Sequence, residues 1–142
     1  MLSAKKVAEY FLSLSDEDLG DMISNLKLQK LCYYAQGFSL ALYNKPLFKE
    51  EIVAWNHGPV VPELYREYKE YGANGIPVPN VDLTKYTKEE KELMNEVYTV
   101  YGQFSAWKLV NMTHSEAPWN NTNINEVISH ENMKTFFNTL VD

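Results

Sequence analysis

Three histidines (His57, His114 and His130), one cysteine and a scatter of carboxylates are the side chains to read first for chemistry in this chain. The histidines show neither His-x₃-His nor His-Glu-x-x-His, the spacings that set two imidazoles on one helical face for a metal. A nucleophilic serine on a strained turn would need a Gly-x-Ser-x-Gly pattern, which does not occur. No glycine-rich loop opens a helix, so neither a P-loop nor a dinucleotide fingerprint is written here. Cys32 is the sole cysteine, which excludes an intrachain disulfide and a cysteine zinc cage. It falls in the middle of an apolar helical arc, where a thiol is inert; a nucleophile needs exposure and a cationic neighbour. Glu50/Glu51 and Glu89/Glu90 are adjacent pairs, and sequence neighbours rarely share a site, so they read as solvated. One catalytic alternative stays open, a small metal-dependent hydrolase assembling His57, His114 and Glu116 in space. The reading favoured by the residues is a non-enzyme with no cofactor and no metal.

Three constellations mix polar and aromatic residues on structured segments. The first is Asn25-Leu-Lys-Leu-Gln-Lys-Leu-Cys-Tyr-Tyr-Ala-Gln36, which places Lys27, Lys30 and Tyr34 on one helical stripe and Gln29, Tyr33 and Gln36 on another. Amides beside phenols on a covered helix seek backbone partners, because buried polar groups are hydrogen-bonded. The second is Ala54-Trp-Asn-His-Gly-Pro-Val-Val-Pro-Glu-Leu-Tyr65, where Gly58 permits positive φ, Pro59 and Pro62 stiffen the chain, and Trp55 anchors a strand-to-helix corner. The third, Thr113-His-Ser-Glu-Ala-Pro-Trp119, sets His114 at a helix C-terminus in a capping role.

The elements that must hold these residues follow from periodicity. Residues 3–14 are an amphipathic helix capped by Ser3, with Val7, Tyr10, Phe11 and Leu14 inward, and 15–20 is an acidic linker. Asn25 or Ser24 caps a helix over 25–43, where Leu28, Leu31, Cys32, Ala35, Phe38, Ser39 and Leu42 fall within an arc of about 120° and apolar character spreads beyond it, so this helix is central. Residues 51–55 read as a short strand, paired with 59–61 or with 126–128. Pro62 opens a helix over 62–71 with Val61, Leu64, Tyr65, Tyr68 and Tyr71 inward, and 73–86 is a loop. Thr87 and Glu90 form a capping box for a helix over 88–101 that buries Leu93, Met94, Val97 and Tyr101. Ser105 caps a helix to Thr113 with Trp107, Val110 and His114 on one face; Pro118 onward is irregular. Ser129 caps a last helix with Met133, Phe136, Phe137 and Leu140 inward. The expected fold is mainly α: a single compact domain over 1–142, with five or six helices around 25–43 and a small antiparallel β element.

The three constellations resemble the blocks of the Panacea domain, the SocA-like antitoxin family also found in phage-associated GepA-type proteins. Leu26-Lys-Leu-Gln-Lys-Leu-Cys-Tyr-Tyr-Ala-Gln-Gly37, Ala54-Trp-x-x-Gly-Pro-Val-Val-Pro-x-Leu-Tyr65 and His114-x-x-x-Pro-Trp119 carry the resemblance, which extends over about residues 3–140. It implies an α-rich fold with a small sheet, no enzymatic activity, and neutralisation of a cognate protein toxin by direct binding. In some members the family instead implies an adaptor delivering the toxin to a protease; a phage-associated interaction protein without a toxin partner is a further reading. The motif residues Leu28, Gln29, Lys30, Tyr33, Tyr34, Gln36, Trp55, Gly58, Pro59, Tyr65, His114, Pro118 and Trp119 read as scaffold, because Gly, Pro, Trp and Leu dominate the blocks. Partner contacts are expected on more variable surface, at Tyr68, Tyr71 and Asn74 beside loop 73–86 and at Trp119 with its Asn-rich continuation, since aromatic anchors beside adaptable chain make hot spots.

Charge agrees with a protein partner. Lys and Arg total 13 against 19 Asp and Glu, a net −6 with no basic arm, which opposes nucleic acid as the main partner. An acidic binder suits a basic toxin, because complementary charge speeds encounter. Met-Leu-Ser-Ala-Lys-Lys has no apolar signal core and no stretch is long and apolar enough to span a bilayer, so a cytoplasmic place with no membrane partner is expected.

Overall fold

Ser24 accepts the Lys27 amide in its hydroxyl and starts helix α2, Asn25–Tyr43, which Asn44 ends in a left-handed conformation at φ 56°. The computed structural model, which describes residues 1–141, wraps the other elements around it. Helix α1 (Ala4–Ser13), capped by Ser3, lies along one side. Strands β1 (Val53–Trp55) and β2 (Gly58–Val60) form an antiparallel hairpin packed on α2. Helix α3 (Pro62–Glu67) and a 3₁₀ turn, Lys69–Tyr71, follow. A second 3₁₀ turn, Leu83–Lys85, leads to α4 (Lys88–Tyr101), whose Thr87–Glu90 capping box is formed as the sequence predicts. Helices α5 (Ala106–His114), α6 (Ala117–Asn120) and α7 (His130–Asn138) complete the fold, with α7 packed closely on α2. The mainly helical architecture around a central 25–43 helix is the expected one; the described residues form seven α-helices where five or six were expected, because the single turn α6 adds one.

Both predicted strand pairings occur at once. β1 pairs with β2 in the register Val53↔Val60, Ala54↔Pro59, Trp55↔Gly58. On its other edge Ala54 donates to Glu126 O at 3.0 Å and accepts from Asn125 N at 2.7 Å, while Ile128 N donates to Ile52 O at 2.8 Å.

Several local expectations are corrected. The strand begins at Val53, not at 51, and β2 starts at Gly58, one residue earlier than 59–61. The helix predicted over 62–71 stops being α-helical at Glu67 and tightens into the 3₁₀ turn. Pro118-Trp119 is not irregular but sits in α6, where proline fits the first turn. In α5 the buried stripe is Leu109, Val110 and Thr113, which leaves Trp107 57% exposed. Leu42 and Leu140, both predicted inward, are 49% and 48% exposed, since no other element covers the ends of α2 and α7 there.

Candidate functional site

The three sequence constellations meet around α2. Asn25 and Gln29 stand one turn apart, and Gln29 Nε2 donates to Asn25 Oδ1 at 2.8 Å. Gln29 Oε1 accepts from Val61 N at 2.9 Å, and Asn25 Nδ2 donates to Tyr65 O at 3.1 Å, so one helical turn holds both ends of the β2–α3 corner. Two turns on, Gln36 Oε1 accepts from Leu47 N and Phe48 N while its Nε2 donates to Phe48 O. These are the backbone partners that buried amides require.

Lys30 is fully buried and donates to Pro59 O at 3.2 Å. Burial lowers its pKa to about 7, because the charged ammonium is costly away from water. Gly58 makes room for it: a Cβ there would lie 2.9 Å from Lys30 Cε and 2.7 Å from Thr113 Oγ1, and the residue's φ of +107° already favours glycine.

Tyr33 and Tyr34 cross to the third constellation. Their hydroxyls donate to the two carboxylate oxygens of Glu116, at 2.9 and 2.8 Å. Burial raises the Glu116 pKa, and the two phenol hydrogen bonds oppose that rise. Both tyrosines are pushed up in turn, first by burial and then by the neighbouring carboxylate. Tyr101 stacks on Tyr34 with ring centroids 3.8 Å apart, and its pKa rises to about 12.

The hairpin is tied to α5 and α6 by the remaining motif residues. His114 Nε2 donates to Asn56 O at 2.9 Å, and its ring stacks on Trp119 at 4.2 Å. Trp119 Nε1 donates to Trp55 O at 2.8 Å, and the Trp55 ring meets Tyr65 edge-on at 5.2 Å. Pro118 is buried. The motif residues thus lie in one connected framework of helix, hairpin and α5–α6 corner.

The hydrolase alternative finds no such assembly. His57 packs on Trp107 at 5.0 Å, His114 faces Asn56 and Trp119, and Glu116 faces Tyr33 and Tyr34. No group of three His, Cys, Asp or Glu side chains able to hold a metal occurs among the described residues. Cys32 is completely buried, and burial pushes its thiol up, as an inert thiol requires.

Of the residues expected at a partner surface, Tyr68 is 6% exposed, inward as the helical pattern over 62–71 has it, with Lys5 Nζ 4.6 Å from its ring centre. Tyr71 is half-buried against the core, Asn74 is exposed, and Trp119 is half-buried with its N–H engaged by Trp55. Glu116 and Asn25 are the participants that sequence reasoning underrated. Asn25 was expected only as a possible cap in place of Ser24, and Glu116 only as a metal ligand; a carboxylate before Ala-Pro, at the N-cap of α6, was the available signal.

A family profile described as "Antitoxin SocA-like, Panacea domain" matches residues 28–120, which contain almost all of this framework. Among curated proteins, Antitoxin SocA of Caulobacter vibrioides is 33% identical over 115 residues, covering 68% of this chain. This chain spans 58% of that relative's length. No solved structure matches the chain. The family takes its description from an antitoxin and not from a catalysed reaction. No helix among the described residues is long and apolar enough to cross a membrane.

Proposed function

We propose that this chain, which belongs to the antitoxin SocA-like Panacea family, neutralises a cognate protein toxin by binding it directly. The observation that carries this reading is the fate of the motif side chains. Gln29, Lys30, Tyr33, Tyr34, Gln36, His114 and Trp119 each bond to another part of the same chain. Side chains engaged in this way position a scaffold; they are not poised over a substrate. Activity then resides in how the surface of a rigid domain covers a partner. The net charge of −6 favours a basic toxin, because opposite charge accelerates encounter.

The test is growth of cells that express the product of each gene flanking this one in turn, with and without this chain. Rescue of growth supports the antitoxin reading; a toxic neighbour that this chain leaves toxic contradicts it. Repeating the rescue in hosts lacking each ATP-dependent protease separates the two family mechanisms. Direct inhibition predicts that rescue persists in every such host, whereas delivery to a protease predicts that it disappears in one of them.

A further inference from the structure

A groove of about 590 Å³ runs between the C-terminal half of α2, the outer face of α4 and the end of α7. Phe38, Leu93, Val97 and Tyr101 form its floor, and Leu42, Val100 and Leu140 stand along it with 49%, 41% and 48% exposure. Leu42 and Leu140 are the two residues whose helical periodicity calls for cover that the chain does not provide, and both border this groove. Leu93, Val97 and Val100 recur at i, i+4 and i+7, a continuous stripe on α4. Glu89, Glu92 and Glu96 run beside it at i, i+3 and i+7. The charged residues lining the groove are Glu92 and Glu96. Lys88 stands 3.8 Å from Glu92 and Lys45 stands 3.7 Å from Glu89, while Glu96 has no ion-pair partner among the described residues.

We infer that this groove seats a basic amphipathic helix of the protein partner, with apolar side chains on the floor and Lys or Arg on the acidic rim. Three helices with an uncovered apolar seam accept a fourth, read through anchors at i, i+3 or i+4, and i+7. The stripe from Leu93 to Tyr101 is about 12 Å long, which fits two turns of such a helix. A second copy of this chain is the poorer occupant, because it would bring a net charge of −6 against the same carboxylates. The inference rests on the antitoxin reading for who the partner is, and on the groove alone for its chemistry.

Two probes test it. The first is a peptide of about four helical turns, with Leu at i, i+3, i+4 and i+7 and Lys elsewhere, titrated into ¹⁵N-labelled protein. Shifts should centre on amides of α4, the C-terminal half of α2 and the end of α7, and the same peptide with Glu for Lys should bind at least tenfold more weakly. Val100→Lys and Leu42→Lys should each weaken the Lys peptide at least tenfold, whereas Trp107→Ala, exposed elsewhere, should not. Shifts spread over other faces, or affinities unchanged in both variants, overturn the inference. Melting curves check that each variant folds, and Leu140→Lys replaces any variant that melts early.

The second probe is the toxic neighbour in the growth assay. Val100→Lys should lose rescue and Trp107→Ala should keep it. If Val100→Lys rescues fully while Tyr71→Ala fails at unchanged melting temperature, docking lies beside loop 73–86; the groove inference falls and the antitoxin reading stands. If the unaltered chain rescues nothing, the antitoxin reading falls, and the peptide titration alone decides the groove.

Discussion

Lys30 holds a buried amine beside Pro59 O, and its pKa of about 7 ties stability to pH. In the unfolded chain a lysine titrates near 10.4, so between about pH 7 and 10 the unfolded state binds more protons than the folded one. Stability should therefore rise with pH across that window, by up to about 1.4 kcal/mol per pH unit from this residue. Above about pH 10 the raised tyrosines reverse the trend, because unfolded tyrosines ionise first. Urea titrations between pH 7 and 9.5 should show the rise in the native sequence and a flattened profile in Lys30→Met; equal slopes would contradict the burial of the amine. Tyr34→Phe removes one of two hydrogen bonds to Glu116 and should cost about 1.5–3 kcal/mol, read as a lower urea midpoint. Toxin rescue should survive where the variant still folds, as a scaffold residue requires. The need of Gln29 and Gln36 for backbone partners was legible in the sequence, since amides on a covered helix have few other options. The Tyr33–Tyr34–Glu116 contact was not: it joins residues more than eighty positions apart, and only the packed fold brings them together.

At Gly37 the Phe137 ring of α7 lies directly against the backbone of α2. A Cβ there would fall 2.1 Å from a ring carbon of Phe137, and the Phe137 ring also contacts Tyr33, Tyr34 and Phe38. Gly37→Ala must push α7 away and should cost about 1–3 kcal/mol in chemical unfolding, the usual penalty of overpacking. Gly37→Ala combined with Phe137→Leu should recover part of that loss; a double variant no better than the sum of the two singles would show the helices to be further apart. Long elements with capping signals were legible: α1, α2 and α4 lie close to where Ser3, Ser24 and the Thr87–Glu90 box place them. Short ones were not. α6 is a single turn whose Trp119 bonds to Trp55, and the chain tightens into a 3₁₀ turn after Glu67; periodicity reports neither a contact 64 positions away nor a change of helix type. The β element was ambiguous because β1 has partners on both edges, and each alternative matched one of them.

At the scale of the whole molecule, α2 contacts α1, the hairpin strand β2 and helices α3, α4, α5 and α7. One cooperative unfolding transition, coincident by circular dichroism and by tryptophan fluorescence, is expected; two separated transitions would divide the chain into independent parts. The family resemblance was legible in three ordered blocks, whereas the apolar surface left uncovered was not, as the exposure of Leu42 and Leu140 shows. The central claim is that the chain neutralises by direct contact, and purified mixtures test it most directly. Size-exclusion chromatography with light scattering, applied to this chain with its toxic neighbour at physiological salt, should show a complex whose mass contains both proteins. Separate elution of the two at their individual masses, under conditions where this chain still rescues growth, would contradict it.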